Sequence, residues 1–168
     1  MEKQKRVNNM SMKELAEHII YVAHKNKKSI TNLQLQKILY FTLRYSVTEI
    51  GLRAAIKTYD EPFLTTRYGP LIKSQYKRFE GYGSSPIIGD ATQHEEYNAL
   101  NKMILELLNK DVFALVASSK SNDFWRRHED EIVKEGLSIK YPIEAVLKLD
   151  TNNQERLVNY IFAEEKTD

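Results

Sequence analysis

The stretch Thr31-Asn32-Leu33-Gln34-Leu35-Gln36-Lys37-Ile38-Leu39-Tyr40-Phe41-Thr42-Leu43 decides how this chain is read. Its first four residues form a capping box. The Thr31 hydroxyl and the Gln34 amide each serve a backbone donor that the first helical turn leaves open. Leu35, Ile38, Leu39, Thr42 and Leu43 then recur at helical spacing and line one stripe. Gly51 is the next natural stop, so the sequence predicts its longest apolar helix over residues 32–50. Upstream, a second box, Ser11-Met12-Lys13-Glu14, opens a helix with Leu15, Ile19, Val22 and Ala23 on its apolar face. Lys25-Asn26-Lys27-Lys28 ends it, where cations suit the negative end of the helix dipole. The short turn between the two predicts an antiparallel helical hairpin.

Downstream the pattern changes. Ile56, Thr58 and Tyr59 are strand formers, Asp60-Glu61-Pro62 reads as a turn, and Phe63 to Tyr68 resumes extended character. Gly69-Pro70 is expected to restart a helix, since proline at the first helical position costs no hydrogen bond. Leu71, Tyr76 and Phe79 ride on that helix, and the run from Gly81 to Pro86 ends it. Further helix starts are expected at a third box, Thr92–Glu95, at Asp111, at Ser121-Asn122-Asp123, at Pro142 and at a fourth box, Thr151–Gln154. The expected architecture is mainly α. It is a single compact helical domain of about eight helices over 11–165, behind a flexible N-terminus at 1–10. A small β-hairpin or extended excursion lies between the second and third helices.

Composition narrows the classes of function. The 168 residues are 42% hydrophobic and contain no cysteine. That excludes disulfides, thiolate zinc sites and a cysteine nucleophile. Met1 to Val7 lacks the apolar core of a signal peptide, and no apolar run approaches the roughly 20 residues of a membrane span, so a soluble, cytoplasmic protein is expected. The net charge of +2 divides unevenly, with +8 in residues 1–80 and −6 in residues 81–168. One reading is a set of solvated helix faces. The other is a dipolar molecule offering a basic face to an acidic partner.

No catalytic constellation is apparent. His18, His24, His94 and His128 match no metal-ligand spacing, and neither metal nor cofactor is expected. Glu129, Asp130, Glu131 and Glu135 crowd one helix and point in different directions, as a solvated acidic face does. Gly81-Tyr82-Gly83 lacks the spacing of a phosphate loop. Ser118-Ser119-Lys120-Ser121 places a serine beside a lysine on divergent helical positions. Arg67, Lys73, Lys77 and Arg78 interleave with Tyr68, Tyr76 and Tyr82 as base and ring would in a nucleic-acid groove. The second helix, however, holds only Lys37 and Arg44 as cations, too few for a groove reader, so nucleic-acid binding is not expected.

Three ordered motifs are more specific. Leu33 to Phe41 resembles a "KLQKLLYF" helix, Arg67-Tyr68-Gly69-Pro70-Leu71 a "YGP" corner, and Tyr76 to Gly83 a helix ending in "F-x-x-YG". With Phe124-Trp125-Arg126-Arg127 as the counterpart of a later tryptophan motif, the chain over 12–149 resembles the Panacea domain, the SocA-like antitoxin family of phage-associated proteins. It departs from that pattern at Arg44-Tyr45 and Asp60-Glu61, and at Ser119-Lys120-Ser121 ahead of the tryptophan.

The resemblance implies a non-catalytic antitoxin that binds and neutralises a partner protein, as in toxin–antitoxin modules of prophages and mobile elements. Two alternatives keep the fold and change the task. One is a counter-defence inhibitor, for example an anti-CRISPR protein bound to an effector nuclease, and the other is an adaptor delivering a toxin to ClpXP. The expected partner-binding residues are Gln36, Lys37, Tyr40, Arg67, Tyr68, Tyr76 and Tyr82, where cations and tyrosines, favoured at interfaces, converge. Leu35, Ile38, Leu39, Gly69, Pro70, Phe79, Gly81, Gly83 and Trp125 are expected to be structural.

Overall fold

The computed structural model describes residues 9–167. Among them are eleven α-helices and one two-stranded antiparallel hairpin, so the chain is mainly helical. Residues 1–8 of the expected flexible N-terminus lie outside the described residues. Met10, its last residue, is buried.

Helix α1 (Met12–Lys25) starts where the Ser11 hydroxyl accepts from Glu14 N, 3.1 Å. Helix α2 (Asn32–Arg44) opens with both halves of its box formed: Gln34 N reaches Thr31 Oγ1 at 3.2 Å and Thr31 N reaches Gln34 Oε1 at 2.9 Å. The helix expected over 32–50 is shorter. Ser46 turns its hydroxyl onto Leu43 O at 2.7 Å, the chain breaks, and α3 (Val47–Ile50) follows. Gly51, at φ +86°, separates it from α4 (Leu52–Thr58).

The extended character expected from Ala54 onward is thus corrected over its first five residues. Leu52, Ala55 and Thr58 bury one side of a helix, and Thr58 satisfies its hydroxyl on Ala54 O and on the buried Tyr97 hydroxyl, each at 2.8 Å. Tertiary burial outweighs the β preference of Ile56 and Thr58, which is a matter of tenths of a kcal/mol up to about 1.

The hairpin is β1 (Leu64–Thr66) against β2 (Gly69–Leu71), with Thr65 opposite Pro70 and Arg67-Tyr68 at the tip. It follows the fourth helix, because α3 and α4 intervene. Gly69-Pro70 is a strand, which corrects the expected helix start. A proline suits an outer strand because it has no N–H to leave unpaired. Helix α5 (Lys73–Phe79) begins three residues later and runs into a 3₁₀ turn at Glu80–Tyr82.

The Thr92–Glu95 box does not form. A 3₁₀ turn, Glu95–Leu100, leads instead into α6 (Asn101–Leu108). Asp111 caps α7 (Val112–Ser119), and Asn122 caps α8 (Asp123–Arg127), which breaks at His128 before α9 (Glu129–Val133). After α10 (Ile143–Val146), helix α11 (Thr151–Thr167) is capped by Asp150, whose carboxylate accepts from Asn153 N at 2.8 Å; the box expected at Thr151 is shifted by one residue. Splitting at residues 45 and 128 accounts for part of the excess over eight helices. Helix α2 is the hub: α1, α5, α6, α7, α10 and β2 all pack against it. Among the described residues no helix is long and apolar enough to cross a membrane.

Candidate functional site

A helix wrapped on all sides has no solvent-facing stripe, so its polar residues must find partners inside the protein. Asn32, Gln36, Lys37, Tyr40 and Thr42 of α2 are all buried. Asn32 Nδ2 donates to Tyr76 O of α5 at 3.0 Å, and its Oδ1 accepts from Gln36 Nε2 at 3.1 Å. Gln36 Oε1 takes the Ile72 N–H at 2.8 Å, and Lys37 Nζ donates to Pro70 O at 2.8 Å. The polar side of the helix is a row of latches on the backbone of β2 and α5. Gln36, Lys37 and Tyr40, expected on a contact surface, are therefore corrected to the interior.

Tyr40 is held from the other end of the chain. Asn122 Nδ2 donates to the Tyr40 hydroxyl at 2.7 Å and to Ala145 O at 2.9 Å, while Asn122 Oδ1 caps α8 by accepting from Phe124 N at 2.8 Å. One side chain thus joins α2, α8 and α10. Burial pushes the Tyr40 phenol up from its ordinary pKa, although the Asn122 bond opposes the shift.

Lys37 is 1% exposed, and burial pulls its ammonium down to about 7. Gly69 approaches it closely. A Cβ at Gly69 would collide with Ser119 Oγ and lie 3.2 Å from Lys37 Nζ. Ser119 and Lys37, and not the adjacent Lys120, both border Gly69, each with its own backbone partner. Ser119 gives its hydroxyl proton to Val116 O at 2.7 Å, and Lys120 lies over the Trp125 ring. Ser119 and Lys37 are both sealed from solvent.

These latches leave the hairpin tip in solvent. Arg67 and Tyr68 are exposed, Tyr68 by 60%, and Tyr76 by 42%. Tyr82 is half-buried, its hydroxyl accepting from Gly89 N at 3.4 Å. The tip is braced on both flanks. Lys37 and Gln36 hold β2 and the residue after it. Trp125, 2% exposed, donates its indole N–H to Thr66 O at 2.9 Å on β1. Thr65 further engages the segment 137–139 through Leu137 O, Ile139 N and Ile139 O. Leu35, Ile38, Leu39, Gly69, Pro70 and Phe79 are buried as expected of structural residues, while Gly81 and Gly83 sit at an exposed turn.

Other candidates fall into structural roles. Arg78 is tied to Glu17 at 2.8 Å and Asp90 at 3.1 Å, so it is not free to serve a basic groove. Glu129, Asp130, Glu131 and Glu135 are exposed. Among the described residues no group of three or more His, Asp or Glu side chains is placed to hold a metal ion.

His18 and His94, distant in sequence, do meet. His94 N donates to His18 Nδ1 at 3.0 Å, which requires that nitrogen to be unprotonated, so Nε2–H faces Asn101 Oδ1 at 2.7 Å. Burial lowers the His18 pKa; the Asn101 bond raises it, and nearby His94 lowers it further. The unfolded chain binds a proton there at about pH 6.5 and the folded chain does not, so stability falls as pH drops through that value. Urea unfolding at about pH 7.5 and 5.5 is expected to show that loss, and His18→Gln, which keeps a donor and an acceptor, to reduce it. An unchanged pH dependence in the variant would refute the assignment.

No family model, curated protein or solved structure matches this chain.

Proposed function

We propose that the protein is a non-catalytic binding protein of antitoxin type, which neutralises a partner protein by direct contact through its hairpin tip. One observation supports the reading most. Arg67 and Tyr68 stand in solvent on a two-residue turn whose strands are fixed by buried side chains from α2 and α8. A pre-ordered tip loses little conformational freedom on docking, and arginine and tyrosine are the side chains most able to anchor a contact. In the α2 motif Gln36 and Lys37 are occupied by backbone groups and Tyr40 by Asn122, which fits a scaffold for presentation better than a reaction centre. The resemblance of the motifs at 33–41, 67–71 and 76–83 to those of SocA-like antitoxins points the same way.

The test is co-expression with the product of the adjacent reading frame, scored by growth and co-purification. Arg67→Ala combined with Tyr68→Ala is expected to weaken partner binding by about 1,000-fold, since hot-spot side chains contribute about 2 kcal/mol or more each. Thermal stability should hold within about 0.5 kcal/mol, as is usual for exposed positions. A partner that binds the double variant as tightly as the parent sinks the proposed contact.

A further inference from the structure

Residues 18–48 contain no Asp or Glu, and neither do residues 62–79. The fold joins these two stretches to each other. The bonds Asn32–Tyr76, Lys37–Pro70 and Gln36–Ile72 all run between them. Lys27 and Lys28 on the α1–α2 turn, and Lys73 and Lys77 on α5, are exposed, and none makes an ion pair within 4 Å among the described residues. Lys73, Tyr76 and Lys77 lie three and four residues apart and share one side of α5. Of the carboxylates that reach these elements from outside, Glu17 and Asp90 neutralise Arg78, and Glu61 is taken up by Ser74.

Lys27 has a strained backbone as well. It closes α1 in the left-handed conformation, φ +56°, with Lys28 N bonded to Ala23 O at 2.8 Å. That position favours glycine, because a Cβ there crowds the backbone. The chain places an exposed cation where a smaller residue is easier to accommodate, at the negative end of the α1 dipole.

We propose that the face formed by the α1–α2 turn and α5 receives an acidic segment of a protein partner; this rests on the binding role above and specifies the chemistry of what is bound. Charge complementarity selects the occupant. A nucleic acid is an extended polyanion whose binding depends on a broad basic field, and a net charge of +2 with exposed Glu129, Asp130, Glu131 and Glu135 elsewhere supplies none. A short acidic segment responds to nearby charges, and on this face the exposed Lys27, Lys28, Lys73 and Lys77 outnumber the carboxylates at the ends of α5, Glu61 and Glu80.

The probe is fluorescein-labelled decaglutamate, titrated with the full chain at low salt and followed by anisotropy. Lys73→Glu with Lys77→Glu is expected to weaken binding about tenfold. Lys27→Gly should weaken it about twofold while raising the melting temperature. Lys102→Glu with Lys110→Glu, on and after α6, should change nothing. Absence of binding, equal losses in the two charge-reversed pairs, or tighter binding of a DNA duplex of equal charge through the same lysines would each overturn the inference. An adjacent-frame product that still co-purifies with the Lys73/Lys77 variant would overturn the acidic-segment assignment and leave the binding role standing. Decaglutamate binding that survives when no partner depends on Arg67 and Tyr68 would do the reverse.

Discussion

Gly69→Ala is expected to cost about 3 kcal/mol of stability, combining backbone strain with overpacking of a closed site. The backbone part follows from φ +95°, a region that L side chains rarely adopt. The packing part follows from Ser119 Oγ and Lys37 Nζ, which occupy the space a methyl group needs. Gly51→Ala separates the two. Gly51 has φ +86° and nothing within 4 Å of the added carbon, so it reports strain alone, about 1–2 kcal/mol. Adding Ser119→Ala to Gly69→Ala removes the colliding oxygen and should restore part of the difference. Urea denaturation of the four proteins decides it. If Gly69→Ala costs no more than Gly51→Ala, the close approach does not limit the fold.

The second large effect concerns Lys37 and pH. The folded protein releases the Lys37 proton near pH 7, whereas the unfolded chain keeps it to about 10.5. Between those values the unfolded state binds more protons, so stability rises with pH and the penalty is greatest below pH 7. The gain from pH 7 to 9 is about 2 kcal/mol from this one group. Lys37→Met should abolish it while leaving Pro70 O without a donor, a loss of roughly 1–3 kcal/mol. The variant is thus expected to compare better with the parent at pH 7 than at pH 9. The window must stop there. Burial raises the pKa of Tyr59, Tyr97 and Tyr141, and above about pH 10 their unfolded forms lose protons first, which lowers stability. A slope from pH 7 to 9 that is identical in the parent and Lys37→Met would refute the assignment.

Local signals in the sequence match the structure where the deciding contacts are themselves local. The Thr31–Gln34 box, the Asp111 cap and the start at Asn122 depend on atoms within three residues. Readings failed where a distant partner decides. Thr58 is helical because its hydroxyl meets Tyr97, 39 residues away, and nothing in residues 54–59 announces that. Gly69-Pro70 is equally compatible with a helix start and an outer strand, and its pairing with Thr65 selects the strand.

Gln36 and Lys37 illustrate the deeper limit. A 3.6-residue period assigns polar positions outward on the premise that a helix has an outside. Helix α2 has none, so the polar residues turned out to be internal connectors. Three of the seven candidate contact residues, Arg67, Tyr68 and Tyr76, do lie in solvent, because exposure at a hairpin tip and on a short helix follows the ordinary rule. The His18–His94 contact spans 76 residues and leaves no trace in spacing.

The strands of the hairpin are only three residues each. An isolated ladder of that length does not persist in water, and this one keeps its shape through groups contributed by residues 36, 37, 125 and 139. The docking proposed for the tip would therefore depend on the finished fold and not on the loop alone: a peptide copied from residues 62–73 should be inert. Cutting or unfolding α2 would remove the Gln36 and Lys37 bonds that hold β2 and Ile72, and is expected to cost the tip its shape.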